Sequence, residues 1–121
     1  MWRESERTFR APVAKTDTHR EPSVVIFTKG HYSIAMVLAD APRPRLSREA
    51  TDRQKVDAYQ SFLRLAGTYE INGGKLTLKH VVAMGPNLMD GSTEVDTFRM
   101  EGHDTLWITG KTDTVKLTRL E

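Results

Sequence analysis

In Thr51-Asp52-Arg53-Gln54-Lys55-Val56-Asp57-Ala58-Tyr59-Gln60-Ser61-Phe62-Leu63-Arg64-Leu65-Ala66-Gly67 a helical pattern interrupts a run of short strands. Thr51 with Gln54 three residues on makes a capping box, and Val56, Tyr59, Phe62 and Leu63 recur on one helical face. Asp52 sits near the positive end of such a helix, and Gly67 suits the left-handed exit, so the spacing predicts one helix over about 52–65. Arg53, Lys55, Asp57, Gln60 and Arg64 take the other faces. A single apolar stripe then docks on the end or flank of something else.

Everything around the helix reads as strand. Residues 23–29 are β-branched and aromatic, Gly30 turns the chain, and 31–39 form the second arm of a hairpin. In that arm Tyr32, Ile34, Met36 and Leu38 share one face, and His31, Ser33, Ala35 and Val37 the other. Pro42 and Pro44 end the segment. Beyond the helix come strands at 68–71 and 75–83 around the turn Asn72-Gly73-Gly74, a loop at 84–91 containing Pro86, and strands at 92–101, 105–109 and 114–120. A first strand at 2–10 holds Trp2, Thr8 and Phe9 among charges, and 11–22, with Pro12 and Pro22, reads as a long connection or lid. The expected fold is mainly β: about eight antiparallel strands closing into a barrel, with one helix inserted between them.

The chain of 121 residues suits one domain over 1–121, and its 38% apolar and 28% charged composition is that of an ordinary globular protein. The longest apolar runs, such as 34–39, fall far short of a membrane span, and the start lacks a basic region followed by an apolar one, so a cytoplasmic location is expected. The absence of cysteine excludes disulfides, thiolate nucleophiles and cysteine-based metal sites. Net charge is +2, and the basic cluster Arg43, Arg45, Arg48, Arg53 and Lys55 flanks prolines and is diluted by Glu49 and Asp52. It reads as a solvated face, so neither nucleic acid nor membrane is an expected partner. A small apolar or amphipathic molecule is, and a homodimer is left open.

The stretch Phe27-Thr28-Lys29-Gly30-His31-Tyr32-Ser33, then Pro42-Arg43-Pro44, then Gly67-Thr68-Tyr69-Glu70 after the helix, and the ending Thr114-Val115-Lys116-Leu117 keep a definite order around a single helix. Together they resemble the bacterial lipocalin-like domain family over most of the chain. The resemblance implies a calycin-type antiparallel barrel with a small-molecule cavity, and it carries no catalytic residues over.

Chemistry is therefore read from position. Leu76, Leu78, His80 and Val82 share a face, which directs His80 with the apolar set. Glu94, Asp96, Phe98 and Met100 share another. If Phe98 and Met100 face inward the carboxylates follow, and burying them requires a cation such as His80 or Arg99, or a bulge that turns them to solvent. His80, Asp96 and Glu94 are the candidate catalytic residues, since an imidazole beside a carboxylate can move a proton near neutral pH. Tyr32, Ile34, Met36, Tyr69, Leu78, Phe98, Met100 and Trp107 are the candidate ligand-binding residues. No metal is expected, because no His-x-His or His-Glu-x-x-His spacing occurs, and no glycine motif points to a phosphate cofactor. Three readings follow: a barrel that binds a small apolar molecule, a cofactor-independent isomerase, cyclase or lyase on the same barrel, and a solid barrel filled by Met36, Phe98 and Met100 that acts through its surface.

Overall fold

The computed structural model describes residues 1–10 and 13–121. Strands β1 (Trp2–Phe9), β2 (Lys15–Asp17), β3 (Ser23–Phe27) and β4 (His31–Val37) precede helix α1 (Asp52–Gln60). After it come β5 (Phe62–Asn72), β6 (Lys75–Ala83), β7 (Thr93–Glu101), β8 (Thr105–Thr109) and β9 (Asp113–Arg119). Antiparallel pairing runs from β1 through β3 to β9 in chain order and returns from β9 to β1, which closes an eight-stranded barrel. This is the predicted architecture. The stretch 11–22 contributes the short β2, paired with the end of β1 from Arg7↔Asp17 to Phe9↔Lys15, while Ala11 and Pro12 lie outside the described residues. Among the described residues no helix is long and apolar enough to cross a membrane.

The helix is shorter than its pattern suggests. Its capping box forms as read, with Thr51 Oγ1 accepting from Gln54 N at 3.2 Å and Gln54 Oε1 accepting from Thr51 N at 2.9 Å. It ends at Gln60, however, and Phe62, Leu63 and Leu65 belong to β5, paired with Val37, Met36 and Ile34. The reason is burial. As a strand, this segment puts Leu65 into the barrel core at 6% exposure, whereas α1 buries none of its residues and leaves Val56 at 46%. The helix is held instead by polar contacts: Tyr59 Oη donates to the Met84 carbonyl at 3.0 Å, and Arg43 donates to the Ala58 carbonyl at 2.8 Å and lies over the Phe62 ring.

Topology gives the barrel two unlike ends. Tight turns at 28–30, 73–74 and 102–104 gather at one, where Gly73 adopts a φ of +63°. The opposite end carries the long connections: 10–22, the segment holding α1, and 84–92 with its 3₁₀ turn Pro86–Met89. Between them, Trp2, Val25, Met36, Leu106 and Leu117 form one buried cluster and Tyr32, Leu65, Leu76 and Leu78 a second. The Arg119 guanidinium stacks 4.4 Å from the centroid of the Trp2 ring at the narrow-turn end.

Two bulges set which side chains enter. In β1 the register against β9 shifts between Glu4 and Glu6, so Glu4 and Arg7 both point inward although three positions separate them. In β6 the register against β5 skips Val81, and this overturns the expectation that Val82 shares the face of His80: both valines are exposed. A β-carbon at Gly67, opposite this bulge, would overlap the Lys79 carbonyl oxygen, so only glycine lets the strands approach there.

The β5 assignment predicts unequal truncations. Leu65→Ala should cost about 2 to 5 kcal/mol in chemical denaturation, as buried leucines do, and Val56→Ala no more than about 0.5 kcal/mol. A Val56 effect as large as that of Leu65 would mean that α1 docks.

Candidate functional site

The barrel encloses a cavity of about 680 Å³ that reaches the long-loop end. Its apolar wall is made by Val25, Ile34, Met36, Leu65, Leu78 and Leu117, and its polar side by Arg7, His80, Asp96 and Asp113. Thr93, Glu94, Val95, Lys111 and Thr112 line it from exposed positions, so the opening lies between the start of β7 and the β8–β9 turn. Strand pairing explains the location. The β6–β7 ladder ends at Lys79↔Thr93, leaving 80–83 without a strand partner on that side.

Charge inside the barrel is organised around Glu4, only 2% exposed. Arg7 Nε donates to Glu4 Oε1 at 2.5 Å and Arg20 Nε to the same oxygen at 3.0 Å, while Glu4 N donates to Ser23 Oγ at 2.7 Å. Arg20 also pairs with Asp17 at 2.8 Å. Arg7 spends a second donor on Asp113, and its third nitrogen stands 3.9 Å from Met36 Sδ. Burial opposes the charge of Arg7, but Glu4 and Asp113 outweigh it and raise its pKa above the ordinary arginine value. Nothing local in the sequence marks this network; the one signal is that Glu4 alternates with Trp2.

His80 points inward as its phase predicts. Its Nδ1 is hydrogen-bonded to the buried Tyr32 hydroxyl, and its Nε2 stands 3.9 Å from Glu94 Oε2. Burial, and then the nearby Glu94 charge, push the Tyr32 phenol up to about 12, so Tyr32 keeps its proton in this contact.

The two carboxylates of β7 part company. Glu94 is exposed at the opening, whereas Asp96 is 9% exposed, faces the cavity, and accepts no hydrogen bond among the described residues. Burial first, and then the charges of Glu94 and Asp113, push the Asp96 carboxyl up to about 6. Neither cation considered for it pairs with it: Arg99 lies outside, over the Trp107 ring at 4.8 Å, and His80 faces Glu94 instead.

Of the candidate ligand-binding residues, Ile34, Met36 and Leu78 line the cavity. Tyr32 reaches it through His80. Tyr69 and Phe98 pack in the core beside it, with the Tyr69 hydroxyl donating to the Thr28 carbonyl at 2.6 Å. Met100, at the narrow-turn end of β7, is exposed, which leaves no place for it in the wall. Trp107 is on the outer face, because Leu106 and Ile108 take the inward positions of the short β8; its indole lies between Arg99 and Lys116 and donates to Glu101 at 2.8 Å.

No family model and no curated protein matches the chain. Solved structures resemble it in shape. A lipocalin-like protein from Bacteroides uniformis ATCC 8492 superposes with a TM-score of 0.60 at 11% identity, over 98% of this chain and 94% of that one. An uncharacterized protein from Bacteroides eggerthii DSM 20697 gives 0.55 at 8% identity, over 98% and 96%. The fold is thus lipocalin-like, as the sequence resemblance implied.

The raised Asp96 carboxyl has a signed consequence. As pH falls the native state takes up this proton before the unfolded chain does, so ionised Asp96 penalises folding above about pH 6. Asp96→Asn should therefore raise stability at about pH 7.5, on the order of 1 kcal/mol, and the gain should vanish below about pH 4, as read by thermal unfolding across pH. A loss of stability at neutral pH would show that the carboxylate has a stabilising partner.

Proposed function

We propose that this barrel binds one small, mostly apolar or amphipathic molecule in its interior. The observation that carries the reading is the cavity of about 680 Å³, walled by aliphatic side chains with a few convergent polar groups. A pocket of roughly 300–1,000 Å³ with that lining is the usual form of a small-molecule site. The apolar wall supplies affinity without direction, and the polar side selects an orientation. The likeness to a lipocalin-like protein supports the kind of fold and says nothing of the ligand.

Titration with an environment-sensitive anilinonaphthalene dye should saturate at a stoichiometry near one. Trp2 packs against Val25, Met36 and Leu117, which line the cavity, so its emission should change on binding, and Trp107→Phe should leave that change intact. Failure of every apolar probe to saturate would favour a barrel that acts only through its surface.

A second reading is favoured by one contact, the Tyr32–His80 hydrogen bond with Glu94 beyond it. These groups form a line from the core to the opening along which a proton could pass, as a cofactor-independent isomerase, cyclase or lyase requires. In that case His80→Gln should abolish turnover found in a screen of such substrates while dye affinity stays within about threefold. A variant with its full rate would leave His80 as a core histidine.

A further inference from the structure

We propose that the polar end of the ligand is a cation, an ammonium-type group seated against Asp96 with Glu94 beside it at the opening. This rests on the binding reading above and names the chemistry of the same site.

Asp96 is nine-tenths buried, faces the cavity and has no donor among the described residues. An ionised carboxylate in that position is costly unless something pairs with it. The groups around it do not. From β7 and β9 it meets Glu94 and Asp113, both carboxylates, and the cations on other elements are occupied or displaced. Arg7 on β1 gives its donors to Glu4 and Asp113 and turns the third nitrogen to Met36. His80 on β6 is hydrogen-bonded to Tyr32 and faces Glu94, and Lys111, which lines the opening from the β8–β9 turn, makes no ion pair with Asp96.

Arg7 and Asp113 cancel one another, so the charge left unmatched on the cavity wall is negative and centred on Asp96. An anionic headgroup would add to this repulsion, since Arg7, the guanidinium on the cavity wall, is already paired with Glu4 and Asp113. An ammonium would relieve it with charge-assisted hydrogen bonds in a site of reduced dielectric, while its apolar body lies along Ile34, Leu65 and Leu78. The upward displacement of the Asp96 carboxyl agrees: the empty site disfavours the ionised form that a bound cation would stabilise.

The test displaces the dye with decylammonium, decanol and decanoate, which share one chain and differ in head charge. Decylammonium should bind about tenfold or more tightly than decanol, and decanoate more weakly than either. Asp96→Asn, whose folding is checked by its unfolding midpoint, should bring decylammonium to within about threefold of decanol and leave decanol unchanged. Equal affinity for amine and alcohol, tighter binding of decanoate, or an amine preference that survives in Asp96→Asn would overturn the inference while leaving an apolar cavity in place. If neither the dye nor any of the three ligands binds, the binding reading itself fails, and this inference with it.

Discussion

The carboxylate of Glu4 is the contact on which the closure of this barrel depends. At 2% exposure it cannot stand unpaired, and the arginines that meet it come from different parts of the chain. Arg7 belongs to the same strand and carries the pairing onward to Asp113 of β9, while Arg20 belongs to the segment that leads into β3. Main-chain pairing between β1 and β3 is confined to Trp2↔Val25, so side chains complete the seam that the ladder leaves thin. The Glu4 main-chain N–H, bonded to Ser23 Oγ, adds the remaining link.

That arrangement also determines the chemistry of the interior. The bulge between Glu4 and Glu6 turns Arg7 inward, where each of its three nitrogens meets a partner: Glu4, Asp113 and Met36. A guanidinium so held, with carboxylates at two of its nitrogens, braces the barrel. Asp96, across the cavity, has no such partner, and the difference between two inward charged residues is entirely one of who stands opposite. The fold spends its cations on its own seam and leaves a carboxylate facing the space.

Strand irregularity shapes the opening as well. Beyond His80 the bulge at Val81 ends the inward phase of β6, and the β7 ladder stops at Thr93. The long connections collect at this same end, so the gap lies among segments whose length the barrel does not constrain. The likeness to the Bacteroides proteins, at 11% and 8% identity, supports the fold alone.

Much of this was legible along the chain. The hairpins, the capping box at Thr51, and the inward phases of Tyr32–Met36, Leu76–His80 and Asp96–Phe98 are local patterns, written by alternation and turn residues that do not depend on distant partners. The end of the helix was not: Phe62 and Leu63 fit a helical stripe continued from Val56 and Tyr59, and β4 claimed the segment because pairing buries Leu65 where the helix buries nothing. Likewise Val82 was separated from His80 by a bulge that exists only opposite Gly67, and Trp107 was sent outward because Leu106 and Ile108 fill the inside. Local pattern was enough for most strands, their turns and the inward histidine, whereas which carboxylate of β7 enters the barrel stayed open until the fold closed. Tertiary structure alone decided which charges are matched, because a salt bridge between strands distant in sequence follows from closure and leaves no period in the chain.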